Sequence, residues 1–324
     1  MERRIDFWRE RRMLCGGCCH EFVVDLDWID RWEQSGEKCA GCGLTCEHED
    51  APRVTVDPDE PALDDAEVAR FAWYHTSTQT DWPTKSFDPA AALTPETRMR
   101  MGGDRHVAAW AERQRAKALH VGTYEAAIHN MLRRMHDQAD HGSQFYLYRV
   151  HLKATAVVRE GWLIDPSNFV GDVVLDEVCP PGVDVARYLN YHEDPGSLSL
   201  ALGRDAIAGV QRIAVPLNDA WDASWVRDAV AALENAPGVP VMATGKLGRL
   251  MRPSSPRSAM GRHLGRGLAD RLPVNLREQF ASAAGFGEGD DPARWARRAS
   301  ALAGLVLDPA RVLAELDAEA HPPV

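Results

Sequence analysis

The chain has 324 residues, is 45% hydrophobic and 26% charged, and carries a formal net charge of −11. It is long enough for more than one domain, and its composition is typical of a soluble globular protein. No apolar run approaches the ~18–20 residues of a membrane span, and the charged start MERRIDFWRERRM lacks the apolar stretch of a secretory signal. We therefore expect a cytoplasmic protein without a membrane partner, and the acidic balance argues against a general affinity for nucleic acid.

Residues 1–48 are predicted to form a small zinc ribbon, because four cysteines form two C-x-x-C pairs: Cys15, Cys18, Cys39 and Cys42. Each pair directs two thiolates toward one point, and two pairs complete a tetrahedral site with Zn–S distances of about 2.3 Å. A site closed by four protein ligands supports folding and does no chemistry. Four neighbours are close enough to replace one ligand, which leaves the quartet open: Cys19, His20, Cys46 and His48.

Residues 49–68 are rich in acids and prolines and show little apolar periodicity, which predicts a solvated acidic linker. In the block 69–230, short predicted strands alternate with a few early helices, as in an α+β domain. One strand is expected at 119–121, followed by a turn with Thr123 as N-cap and an amphipathic helix. The block has neither a G-x-G-x-x-G turn nor a P-loop, so a dinucleotide-binding doubly wound sheet and a P-loop NTPase are not supported.

Three short motifs place polar residues at the edges of these strands: WYHTS with His75, HVGTYEAA with His120 and Tyr124, and NYHEDPGSLS with Glu193. Over about Ala66–Pro216 they resemble the ADP-ribosyltransferase fold in its His–Tyr–Glu variety. The resemblance implies that His75 holds a ribose of NAD, that Tyr124 stacks on nicotinamide, and that Glu193 binds the nicotinamide ribose.

The match departs from the family where Thr76 follows His75, because many relatives have glycine there. The His-x-Gly-Thr segment of the second motif leaves His120 as the alternative ribose-binding histidine, with Gly122 and Thr123 beside it in the expected NAD site.

The chemistry suits these residue types. Cleavage of the nicotinamide–ribose bond passes through an oxocarbenium-like state, which a carboxylate such as Glu193 would stabilise. A neutral histidine can donate to ribose oxygens, and an aromatic face beside the cationic nicotinamide adds ~0.5–2 kcal/mol. Glu193 and His75 are therefore the predicted catalytic pair.

Residues 231–324 are predicted to be mostly helical, with a basic loop. Lys246–Arg271 contains seven Lys/Arg and one acid, and two later helices each begin with Asp-Pro. Three interpretations of the basic stretch stay open: a solvated loop, a surface that contacts phosphate, and a segment whose positive charge neutralises the acidic linker.

The predicted fold class is α+β: a small zinc ribbon, an ADP-ribosyltransferase-like split-sheet domain and a mostly helical C-terminal part. The predicted function is NAD-dependent transfer of ADP-ribose to a macromolecular acceptor, with nucleic acid slightly favoured over protein. The alternatives are a non-catalytic zinc-ribbon regulator that binds nucleic acid or protein, and an RNA 2′-phosphotransferase on the same fold.

Overall fold

The computed structural model describes residues 1–84, 87–91, 93–137, 142–164, 173–239 and 255–320. Over these residues the protein is a mixed α+β molecule built on three small sheets. The strands in chain order are β1 (Arg11–Cys15), β2 (Glu21–Val24), β3 (Pro52–Thr55), β4 (Trp73–Ser77), β5 (Leu119–Val121), β6 (Phe145–Leu152), β7 (Leu163–Ile164), β8 (Val185–Leu189), β9 (Leu198–Leu202) and β10 (Ile207–Val215). The α-helices are α1 (Leu26–Glu33), α2 (Asp65–Val68), α3 (Pro95–Arg100), α4 (Asp104–Arg115), α5 (Tyr124–Asp137), α6 (Leu175–Val178), α7 (Ala223–Asn235), α8 (Pro256–Ala269), α9 (Val274–Ala283), α10 (Pro292–Leu307) and α11 (Pro309–Ala318).

The amino-terminal sheet has the strand order β2-β1-β3, and both pairings are antiparallel. Alternate residues of β1 point inward, so that Met13 joins a small core with Ile29, Trp32 and Val54. Asp25 caps α1 by accepting a hydrogen bond from the Trp28 N–H. This module has too small a core to be stable by packing alone, as is usual for a metal-stabilised fold.

The predicted acidic linker is wrong for much of the segment 49–68. Pro52–Thr55 pairs with β1 as the third strand of the first sheet. Val56, Ala62 and Val68 are buried in the core of the central sheets. The acids that suggested a solvated chain cap short helical turns instead, as Glu60 and Asp64 do.

The central region contains two sheets, with strand orders β10-β6-β4 and β5-β9-β8-β7. The first is antiparallel, and in the second only β7 and β8 are parallel. Strand β4 meets β5 through a short antiparallel bridge between Tyr74 and Gly122. The turn and N-cap expected before α5 are present, because the Thr123 hydroxyl accepts the Ala126 N–H at 3.1 Å.

Strand β4 separates two cores. Thr76 donates its hydroxyl hydrogen to the Ala127 carbonyl at 3.1 Å, and Tyr74 packs edge-on against Tyr124, so both face helix α5. Because side chains alternate along a strand, Trp73 and His75 point to the other face, where Trp73 is buried among the apolar residues between the sheets.

The carboxy-terminal helices pack around α5 in one large apolar core that includes Phe280, Leu302 and Leu305. Asp291 and Asp308 cap α10 and α11, with proline at the first helical position, as the Asp-Pro pattern predicted. Part of the basic stretch is helix α8 and not a loop, whereas residues 246–254 lie outside the described residues. Within the described ranges, no helix combines the length and the apolar character that a membrane crossing requires.

Candidate functional sites

The four predicted cysteines converge. The ligand atoms of Cys15, Cys18, Cys39 and Cys42 all lie within 4.8 Å of one another. The sulfur atoms of Cys15 and Cys42 are 3.7 Å apart, as are those of Cys18 and Cys39. Tetrahedral zinc with Zn–S bonds of about 2.3 Å requires sulfur atoms ~3.8 Å apart. The cluster fits a metal ion such as zinc.

The two halves of the cluster share one backbone design. In each, the N–H of the residue after the second cysteine donates to the carbonyl of the first: Cys19 to Cys15 and Gly43 to Cys39, both at 2.8 Å. Both donors, Cys19 and Gly43, have positive φ values, of 57° and 78°. The sequence spacing therefore produces two matching turns that direct their thiols to one point.

The alternative ligands take other positions. His20 stacks its ring on Phe22 with 5.3 Å between ring centroids. Cys46 contacts the hydroxyl of Ser35 at 3.3 Å, and Cys19 is exposed. Neither these residues nor His48 belongs to a metal-ligand cluster within the described part of the chain.

The structure places the half-buried His75 on the face of β4 that packs against the core between the two central sheets. Its ring stacks on Trp82 at 4.2 Å, and Nδ1 lies 2.9 Å from the His120 carbonyl. Burial lowers the pKa of His75 to about 3, although the hydrogen bond to the His120 carbonyl opposes this. His120 in turn has its Nδ1 3.0 Å from the Tyr188 hydroxyl. Both histidines are therefore engaged in internal packing.

The Tyr124 ring is also part of the core and is 1% exposed. Its hydroxyl donates to the Leu305 carbonyl at 2.8 Å, and its ring meets Phe7 edge-on. The Gly122 backbone N–H and C=O are both bonded to Tyr74, and a Cβ at Gly122 would lie 2.9 Å from the Ser199 hydroxyl. The ring is packed against Phe7 and Tyr74 beside the cavity described below, and its stacking on nicotinamide stays a prediction.

Glu193 does not meet His75. Its carboxylate accepts hydrogen bonds from Arg133 at 2.8 Å and Asn130 at 3.2 Å, both on α5. Helix α5 packs on the Tyr74 and Thr76 face of β4, whereas His75 points to the opposite face. The expected convergence of Glu193 and His75 on one pocket is therefore wrong.

The next residue, Asp194, lines a cavity of about 610 Å³ together with Thr123, Tyr124 and Glu125. Asp194 accepts hydrogen bonds from Arg9 at 2.8 Å, Arg11 at 2.9 Å and the Thr123 hydroxyl at 2.8 Å. Burial alone would raise the pKa of Asp194, but these guanidinium and hydroxyl groups hold it below its ordinary value. Asp194 is thus an ionised carboxylate fixed by internal partners.

Glu125 is the other buried carboxyl that lines this cavity, and its surroundings shift its pKa in the opposite direction. It is 6% exposed, and one carboxyl oxygen accepts the Asp6 N–H at 2.6 Å. Burial, reinforced by the negative charge of Asp194, raises the pKa of Glu125 to about 7. Two neighbouring carboxyls whose pKa values are pushed apart are typical of acid–base sites.

Arg3 places a guanidinium without hydrogen bonds on the same cavity wall. Its side chain is 17% exposed, and its guanidinium lies over the Trp73 ring at 4.0 Å from the centroid. Its Nε, Nη1 and Nη2 are buried and form no hydrogen bond within the described residues, and Glu60 is 3.7 Å from Nη2. A buried donor without an acceptor destabilises the folded protein unless a ligand supplies the acceptor.

Sequence reasoning missed Glu125, Asp194 and Arg3 as candidates. The signal for Glu125 lies in GTYEAA, where an acid falls in the first turn of a buried helix. Nothing in the local pattern marks Arg3, because its position depends on the amino-terminal segment crossing β4, where Ala72 N–H donates to the Met1 carbonyl. Compared with protein-family models, with curated proteins and with solved structures, the chain matches none.

Proposed function

We propose that this chain is an NAD-dependent ADP-ribosyltransferase whose site is the 610 Å³ cavity at the start of α5. One observation carries the proposal: a buried guanidinium that forms no hydrogen bond among the described residues, Arg3, and a carboxyl of near-neutral pKa, Glu125, line the same cavity. The cavity volume falls within the ~300–1,000 Å³ typical of small-molecule sites.

The cavity lining offers groups for two parts of NAD, its central pyrophosphate and its nicotinamide ring. The planar guanidinium of Arg3 matches the oxygens of a pyrophosphate, which accept bidentate hydrogen bonds. The cavity wall also carries Glu2, Glu60 and Glu67, whose charges favour the cationic nicotinamide ring. NAD offers an anionic centre and a cationic end in one molecule.

Glu125 would act on the acceptor. Transfer breaks the bond between the nicotinamide nitrogen and ribose C1′, and the electron pair leaves with nicotinamide. In the same step the acceptor oxygen or nitrogen forms its bond to C1′ and releases its proton to the Glu125 carboxylate. A pKa of about 7 leaves a useful fraction of Glu125 ionised at neutral pH while keeping it basic enough to accept that proton.

Asp194 serves as a positioning residue. Its bonds to Thr123 and to Arg9 fix the start of α5 against the amino-terminal segment that carries Arg3. We further propose that zinc occupies the four-cysteine cluster and stabilises the neighbouring sheet, as the sulfur spacing supports.

Two variants, each with a matched control, test the proposal. Calorimetry with NAD should show binding to the native protein, and Arg3→Gln should weaken it about tenfold or more, because a charge-assisted hydrogen bond is worth roughly 1.5–3 kcal/mol. Glu125→Gln should keep NAD binding and slow nicotinamide release by about a hundredfold or more.

The matched controls are Arg113→Gln and Glu193→Gln. Arg113 is exposed on α4 and does not line the cavity, and Glu193 is bound to α5 away from the cavity. Both variants should stay within about twofold of the native protein in binding and turnover. A folded native protein that gives no response to NAD would reject the proposal and favour a non-catalytic binding protein, and full turnover by Glu125→Gln would reject the assigned role.

A further inference from the structure

Helices α8 and α10 border a second groove, which shares no lining residue with the candidate NAD cavity. It has a volume of about 1150 Å³ and runs between the end of β10, the turn after α9 and the start of α10. A smaller depression of about 240 Å³ continues it along α8, and Arg262 and Phe286 line both. The described residues thus form one elongated channel, which we call the arginine groove.

Five arginines line the arginine groove, and no lysine does: Arg262, Arg266, Arg294, Arg297 and Arg298. Among the described residues, no carboxylate lies within ion-pair distance of Arg266, Arg294 or Arg297. These three side chains belong to exposed residues.

The two acids of the groove serve the local backbone. Asp291 accepts the Arg294 N–H at 2.7 Å as the N-cap of α10, and Asp290 accepts the Gly287 N–H at 2.7 Å. Their carboxylates therefore shape the loop and the helix start. The arginines of the groove outnumber the carboxylates, on a chain whose formal net charge is −11.

The arrangement of charge on α10 is unfavourable in the free protein. Arg294, Arg297 and Arg298 are three and four residues apart, so like charges face each other on one side of the helix. They lie in its first two turns, where the helix macrodipole disfavours cations. Helix α10 contains no Asp or Glu, and the two acids just before it, Asp290 and Asp291, face three arginines. A bound polyanion would relieve both penalties.

We propose that the arginine groove binds the phosphodiester backbone of a nucleic acid strand. Arginine forks match phosphate oxygens, and a channel longer than one anion suits a linear row of phosphates. The aromatic floor is sealed, because Trp295 and Phe286 are 5% and 7% exposed and pack edge-on against each other. With no aromatic face open for stacking, the contacts are to the backbone and do not depend on base sequence.

The same sealed floor disfavours an acidic peptide, which would need pockets for its side chains. The interaction is independent of the proposed NAD chemistry, and the two fail separately, because the groove variants below leave Glu125 and Arg3 in place.

The test measures fluorescence anisotropy of a labelled single strand of about 20 nucleotides, which exceeds a typical site size. The protein is the whole 324-residue chain loaded with metal. Binding should weaken as NaCl rises from about 50 to 200 mM. The double variant Arg294→Gln/Arg297→Gln should bind at least about tenfold more weakly and lose roughly 1.4 units of the slope of log K against log salt, since each lost phosphate contact removes ~0.7 for single strands. Its melting temperature should match that of the native protein, because both residues are exposed.

The matched control is Arg113→Gln/Arg115→Gln, two exposed arginines in the last turn of α4, and it should stay within about twofold. Failure of the native protein to bind at low salt would overturn the proposal. So would equal losses in the control and groove variants. Competition by poly-glutamate as effective as that by the oligonucleotide would also overturn it and identify an acidic protein as the partner.

Discussion

The four-cysteine cluster and the cavity at Asp194 both gather groups that carry negative charge, but they neutralise it differently. At the cluster, four sulfur ligands lie within 4.8 Å of one another, and the fitting counter-charge is a metal ion. At the cavity, the Asp194 carboxylate receives two guanidinium groups, from Arg9 and Arg11, and so is neutralised by the chain itself. The first site depends on an added ion, whereas the second is complete when the chain folds.

The two sites should therefore contribute to the free energy of unfolding in different ways. Loss of a bound ion removes binding free energy that had become folding free energy. Loss of an internal partner leaves an uncompensated buried charge, which costs several kcal/mol at that point. The three predictions that follow test this contrast in order of decreasing effect.

Metal removal should have the largest effect. Chelation, or Cys39→Ser, should unfold the sheet β2-β1-β3, because a structural zinc site contributes on the order of 10 kcal/mol. Near-ultraviolet circular dichroism should report it through the stacked Trp28 and Trp32 rings, which are 5.3 Å apart. The native protein should contain one zinc per chain by emission spectroscopy.

The matched control for metal removal is Cys19→Ser, because Cys19 adjoins the cluster but is not part of it. This variant should keep its metal and its tryptophan signal. A metal-free protein with an unchanged signal would remove the contrast between the two sites.

Asp194→Asn should have the next largest effect and lower the free energy of unfolding by about 3–5 kcal/mol, because Arg11 is 2% exposed and would lose its carboxylate. The adjacent Glu193→Gln removes a more accessible ion pair, 16% and 27% exposed, and should cost about 1 kcal/mol or less. Urea midpoints of the two variants at constant metal loading measure the difference. Equal costs would show that Asp194 is not internally balanced as described.

The pH dependence of Glu125 should give the smallest effect. Its pKa is about 7 when folded and about 4.5 when unfolded, so the folded state binds the proton more tightly. The stability due to protonated Glu125 is complete below pH ~4.5 and is lost as pH rises through ~7, by up to about 3 kcal/mol.

Glu125→Gln cannot titrate and should lack this loss. The difference in unfolding free energy between the native protein and this variant should therefore fall between pH ~5 and ~8. A difference that stays constant over that range would mean that Glu125 keeps an ordinary pKa.

The metal cluster could be predicted because its geometry is local. Each C-x-x-C pair fixes two ligands within one turn, and the only long-range step is to bring Cys15 near Cys42. The helix after Thr123 and the Asp-Pro helix starts were predictable for the same reason, since caps depend on residues three or four apart.

The cavity could not be predicted in this way. The choice between Glu193 and Asp194 is made by Arg9 and Arg11, which lie more than 180 residues earlier in the chain. The strand around His75 was predicted, but the face on which its side chain lies depends on which sheet receives α5. Likewise, the acids in 49–68 predicted a solvent-exposed segment, but the few apolar residues among them are buried in the core of the central sheets. The finer domain division and the cytoplasmic location stay predictions.

Strand β1 joins the two contrasted sites through only five residues. Cys15 at one end belongs to the metal cluster, and Arg11 at the other holds the Asp194 carboxylate. At about 3.3 Å per residue, these ends are ~13 Å apart. If a metal ion holds the end of β1 at Cys15, we expect its loss to release Arg11 from the Asp194 carboxylate in the β8–β9 loop and so to change the shape of the cavity.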